Sequence, residues 1–229
     1  MLVRAYSVSP LAPCPCRCGD RQLPRGRGSS GETGSGIANL RESGVLELYE
    51  GYRAVAVFGG RHPAAGEREY EQACKLGALL AAAGYMVMSG GYSGVMEAVS
   101  RGASQAGGIA VGVTMEIFRG LKPNPFLSRE IRTRDFFHRL EFLTTHASAF
   151  IALRGGMGTL TEMSLVWNMM QTGTIHDKPM ILVGDFWRPL LRSIAGHLVI
   201  RPEDFGLFHY ADTVDEAVAR LTSMHSPLP

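Results

Sequence analysis

Long apolar runs, paired cysteines and a surplus of one charge are all scarce in this sequence, and each shortage removes a class of protein. No apolar stretch approaches the roughly 18 residues needed to cross a bilayer, and the start Met1-Leu2-Val3-Arg4 lacks the apolar core of a secretory signal. The expectation is a cytoplasmic protein with no membrane partner. Lysine and arginine number 23 against 21 acidic residues, a formal charge of +2, so no global field draws the chain to nucleic acid. Only four cysteines occur in 229 residues. Cys14, Cys16 and Cys18 crowd into one polar stretch and Cys74 stands alone in a helical pattern, which is not a disulfide framework. The Cys-x-Cys-x-Cys cluster also lacks the paired spacing of closed zinc sites, so no metal is expected.

What the chain does have is 45% hydrophobic residues, enough for one core of ordinary size. From Pro10 to Gly36 the sequence is rich in Pro, Gly, Ser and Arg without apolar periodicity, and reads as a disordered tail. Residues 1–50 are therefore expected to be a poorly ordered extension, and residues 51–229 a single domain. Within that domain short apolar runs alternate with helix-period stretches. Strands are expected at Ala54–Phe58, Tyr85–Met88, Ile109–Val113, Ala149–Leu153 and Pro179–Val183. Helices are expected from Glu67 to Ala83, Val95 to Ala106, Arg134 to Thr145, Thr159 to Met170, Trp187 to Ala195 and Val214 to Leu221. The stretch around Pro123 and Pro125 is irregular. This alternation predicts an α/β fold, an open parallel sheet flanked by helices on both faces, with its ligand crevice at the carboxyl ends of the strands.

Two of the loops at those ends are unusual. Ser89-Gly90-Gly91-Tyr92-Ser93-Gly94 leads into Val95-Met96-Glu97, and Arg154-Gly155-Gly156-Met157-Gly158-Thr159 leads into Leu160-Thr161-Glu162. Glycine lets backbone N–H groups come close to a ligand, and the positive end of the following helix favours an anion, most commonly phosphate. A lone Gly-Gly is more often just a tight turn; two such loops at neighbouring strand ends point further. Neither has the Gly-Lys-Ser/Thr of a P-loop or the spacing of a dinucleotide fingerprint, which argues against ATP hydrolysis and hydride transfer.

The run Gly155-Gly156-Met157-Gly158-Thr159-Leu160-Thr161-Glu162 resembles the Pro-Gly-Gly-x-Gly-Thr-x-x-Glu signature of the Lonely guy (LOG) family, whose members are often labelled lysine decarboxylase-like. The resemblance extends from about Arg53 to Leu221 and takes in Phe58-Gly59-Gly60, the Ser89–Gly94 loop and Ile175-His176-Asp177-Lys178-Pro179. It implies a Rossmann-like fold, usually dimeric, without a cofactor. It also implies phosphoribohydrolase activity, splitting cytokinin riboside 5′-monophosphates, and often AMP, into base and ribose 5-phosphate. The family's helical arginine falls on Arg139 and its glutamate on Glu162, which the resemblance makes the catalytic pair. Gly155, Gly156, Met157, Gly158, Thr159 and Arg154 are expected at the phosphate, with Gly90, Gly91, Ser93, Gly94 and Glu97 contributing from the other loop.

The chain departs from the family pattern at Arg154, where the signature has proline, and at Leu140, where a lysine normally follows the helical arginine. Phe136-Phe137-His138 also replaces that helix's methionine motif, and Glu97 stands where plant-type members more often have glycine. Taken singly, Glu162 could be an ordinary helix-start glutamate and Arg139 a solvated helix arginine. Met157, Met163, Met169, Met170 and Trp167 read as packing residues. No Ser-His-Asp arrangement, zinc motif or Schiff-base lysine motif is present, so a pyridoxal-dependent decarboxylase is unsupported. The competing expectation is a protein that binds a nucleotide or the molybdenum cofactor on the same cradle without turnover.

Overall fold

Strand-forming runs only four to six residues long become one sheet here because most are apolar on both faces. In the computed structural model, which describes residues 51–118 and 120–225, β1 (Arg53–Phe58), β2 (Tyr85–Ser89), β3 (Ala110–Met115), β4 (Arg129–Thr133), β5 (Ala149–Ala152), β6 (Met180–Val183) and β7 (Phe208–Ala211) pair in the order β4-β3-β2-β1-β5-β6-β7. Every pairing is parallel. The helices between them are α1 (Arg68–Ala82), α2 (Val95–Gln105), α3 (Phe136–His146), α4 (Met157–Gln171), α5 (Trp187–His197) and α6 (Val214–Met224), with a 3-10 turn at Pro202–Leu207. This is the expected α/β, Rossmann-like open parallel sheet with helices on both faces. The expected extension at 1–50, with Cys14, Cys16 and Cys18, lies outside the described residues.

Alternation along the strands divides the interior into two cores. Val55, Val57, Val87, Ile151 and Ile181 point to the face covered by α1, α2 and α6. Ala56, Phe58, Met88, Phe150 and Leu182 point to the face covered by α3, α4 and α5. Burying each large side chain contributes about 1.5–3 kcal/mol relative to leaving it in water. On the first face α1 and α2 nearly touch, because Gly77 and Gly102 supply no side chain where they cross: a Cβ at Gly77 would lie 2.0 Å from the Val99 carbonyl oxygen, and one at Gly102 1.8 Å from that of Cys74.

Sequence periodicity located five of the seven strands described. The two it does not indicate are the sheet's edges, β4 and β7. β4 reads Arg-Glu-Ile-Arg-Thr and is largely accessible to solvent, and β7 carries His209 and Tyr210 between its buried ends. An edge strand meets solvent along one side, so it needs no apolar run and is blunted by charge. Among the described residues, no helix is long and apolar enough to cross a membrane.

Candidate active site

β1 through β4 are laid down on one side of β1, and the chain then returns through α3 to place β5 on the other. The crevice at this reversal is where open α/β sheets bind ligands. Three loops meet there and are bonded to one another. The Gly60 N–H donates to the Arg154 carbonyl at 3.0 Å, the Val95 N–H to the Gly60 carbonyl at 2.8 Å, and the Ser93 hydroxyl to the Arg61 carbonyl at 3.3 Å. Between them opens a cavity of about 260 Å³, close to the lower end, about 300 Å³, of the usual range for small-molecule sites.

Arg139 reaches the cavity from α3 and Glu162 from α4. The Arg139 Nη2 donates to Glu162 Oε1 at 3.2 Å, and both side chains are more than nine-tenths buried. α3 is held at both ends. The Asp135 carboxylate caps its start, accepting from the His138 N–H at 3.0 Å, and Lys178 Nζ donates to the carbonyls of Thr144 (3.0 Å) and Thr145 (2.8 Å) at its close. Contact with His138 holds the Asp135 carboxyl well below the usual range. The arginine therefore projects from a helix that cannot easily slide.

Gly90 shows how tightly that guanidinium is seated. A Cβ there would lie 1.9 Å from Arg139 Nη2 and 2.5 Å from Met96 Sδ, so this glycine leaves room for the arginine as it crosses the loop after β2. Arg139 Nε is buried and has no hydrogen-bond partner among the described residues. Burial pushes the Glu162 carboxyl up to about 7, against the opposing pull of Arg139. A carboxyl poised there exchanges its proton readily near neutral pH.

α4 begins at the glycine loop, and among the described residues no side chain of the N-cap position, Gly156, caps its N-terminus. Gly156, Met157, Gly158 and Thr159 line the cavity, and a Cβ added at Gly156 or Gly158 would meet nothing within 4 Å. The lining also has a large apolar part, formed by Tyr92, Met96, Met115, Phe118, Leu121 and Phe136. Tyr92 is fixed there by the Met115 N–H, which donates to its hydroxyl at 2.8 Å.

The other residues expected at the site sit elsewhere. Gly155 is exposed but leaves no room for a side chain, since a Cβ would lie 2.1 Å from the Thr159 hydroxyl oxygen. Gly91 (φ 78°) and Gly94 (φ 75°) serve the turn: both have left-handed backbone, and a Cβ at Gly94 would strike the Gly60 carbonyl oxygen at 2.4 Å. Ser93 ties down Arg61. Glu97 accepts a hydrogen bond from the Tyr70 hydroxyl at 3.0 Å and so joins α2 to α1 rather than facing the cavity. Arg154 turns outward, 3.9 Å from Glu69 and over the Phe186 ring. Conversely, Arg61 and His62 line the cavity although no motif singled them out. Their signal was positional: they follow β1, the strand at the reversal.

A parallel α/β sheet with a loop-built cavity at its reversal point defines the broad class of Rossmann-like small-molecule-binding proteins, and comparison with known proteins narrows it. Residues 96–221 match the family model described as possible lysine decarboxylase. A cytokinin riboside 5′-monophosphate phosphoribohydrolase from Mycobacterium tuberculosis is 36% identical over 136 residues, covering 58% of this chain and 71% of that protein. One of the same name from Rhodococcoides fascians is 31% identical over 147 residues, covering 62% and 74%. Among solved structures, the molybdenum cofactor binding protein of Rippkaea orientalis superposes with a TM-score of 0.61 at 23% identity, over 76% of this chain and 97% of that one, a likeness of fold alone. The chain belongs to the Lonely guy (LOG) family of lysine decarboxylase-like proteins.

Proposed function

We propose that this chain hydrolyses the N-glycosidic bond of a purine nucleoside 5′-monophosphate, with adenine or an N6-modified adenine as base, releasing free base and ribose 5-phosphate. The observation that carries the reading is the buried Arg139–Glu162 pair at the reversal point, with a carboxyl raised to about 7. The names of the relatives from M. tuberculosis and R. fascians support the same reaction. The open space above Gly156 and Gly158 supports a ligand over the start of α4: packing within the protein does not require those glycines to be small, whereas a phosphate drawn close to the backbone does.

The reaction breaks the C1′–N bond, whose electron pair leaves on the base, and the ribose ring takes on positive charge. In its ionised form Glu162 stabilises that charge from a water-poor position and accepts a proton from the water that adds to C1′. The departing base takes up a proton, so one water is divided between base and sugar. Arg139 stays charged and orients the carboxylate through its Nη2–H. The apolar lining of Tyr92, Met115 and Phe118 accommodates the base. We take the working unit to be a cytoplasmic homodimer; the exposed Phe137 and Met157, at and beside the cleft lining, support a partner surface there.

The test incubates purified protein with AMP and with N6-isopentenyl-AMP, wild type beside Glu162→Ala, and follows free base by chromatography. The wild type releases base, and the variant is slower by about a hundredfold or more, the scale of a lost acid–base group. Binding of AMP without release of base from either substrate would refute the hydrolase reading.

A further inference from the structure

The cavity lining carries three basic side chains, Arg61, His62 and Arg139, against one acidic side chain, Glu162. Arg139 is already paired with that carboxylate. The cavity therefore offers an anionic ligand the positive end of α4 and the two residues that follow Gly60. A phosphate monoester carries about −1.5 to −2 charge at pH 7, more than one helix terminus of about half a charge can balance.

The position of Arg61 is set by its backbone rather than by its side chain. The Ser93 hydroxyl donates to its carbonyl, Gly60 before it is bonded to both Arg154 and Val95, and its Cα packs so closely on Gly94 that a Cβ there would lie 2.6 Å away. The side chain itself is exposed and lines the cavity, and among the described residues no ion pair or hydrogen bond engages the guanidinium. A cation on a fixed stem beside the glycine loop, not neutralised by a neighbour, is suited to clamp a phosphate by its planar fork.

We propose that Arg61 is a phosphate-recognition residue, closing over the 5′-phosphate held at Gly156–Thr159 and setting the preference for nucleotides over nucleosides; this rests on the nucleotide-site reading above. Calorimetry on the full chain, wild type beside Arg61→Ala and Arg61→Lys, with AMP, ribose 5-phosphate and adenosine as titrants, tests it. Arg61→Ala is expected to weaken AMP and ribose 5-phosphate by about tenfold or more, as loss of a charged hydrogen bond does, while adenosine stays within about twofold. Arg61→Lys restores part of the loss. Equal losses for all three ligands, or unchanged affinity for the two phosphates, overturn the assignment. If the wild type binds AMP but releases no base, the hydrolase reading fails while this contrast still decides the role of Arg61. If the wild type binds neither phosphate, both readings fall.

Discussion

Glu162 links burial directly to chemistry. Its carboxyl is held up at about 7 by desolvation and would sit higher without Arg139. If the ionised form does the work, kcat/KM falls as pH drops below about 7. That limb is separable from the second ionisation of a substrate phosphate, near about 6. In Arg139→Met the counter-charge is gone, so the limb of the remaining activity moves to higher pH, and a carbon-13 NMR titration of the Glu162 carboxyl moves with it. An unmoved midpoint would assign the limb to another group. The pair itself was legible in the sequence through the resemblance, which located both residues; what was illegible was their surroundings. Gly90 was read only as a phosphate glycine; it lines the cavity and also makes space for the guanidinium. Glu97 looked like a ligand contact and instead holds Tyr70. Both roles depend on which side chain from another element arrives opposite, and spacing along one chain does not encode that.

At the scale of elements, the central strands and their helices were readable because a short apolar run bounded by glycine is buried most simply as a strand within a parallel sheet. β4 and β7 escaped because edge strands need no such run. The α1–α2 contact is the element most sensitive to a single atom. A Cβ at Gly102 meets a main-chain oxygen at 1.8 Å, which no rotamer change relieves, so the helices must part. Gly102→Ala is expected to cost about 2–3 kcal/mol and to lower Tm by about 5–10 °C in a chain of this size. Gly158→Ala, with nothing within 4 Å, leaves Tm unchanged or slightly raised. Thermal denaturation of the two variants side by side checks the pair; similar losses in both would mean that the helix contact is not the discriminating feature.

For the whole molecule, the raised carboxyl ties stability to pH. Between the ordinary value of 4.5 and about 7 the folded chain keeps a proton on Glu162 that the unfolded chain has released. The unfolded state then binds fewer protons, and stability falls as pH rises through that window. At about 1.36 kcal/mol per pKa unit the contribution is of the order of 3 kcal/mol, fully present below about 4.5 and lost above about 7. Urea unfolding of wild type and Glu162→Gln at pH 5 and pH 8 reads it: the wild type loses more stability between the two than the variant does. Equal losses would place the pH dependence elsewhere.

The bonds among the loops at β1, β2 and β5 have an evolutionary consequence. Because Gly60, Arg154 and Val95 are joined through main-chain atoms, the framework of the cleft is largely indifferent to which side chains decorate it. Arg154 can stand where relatives of the signature carry proline, and Arg61 and His62 can be exchanged, without dismantling the frame. A lineage can therefore revise what the cleft accepts one side chain at a time, while the two cores beneath go on specifying the same fold.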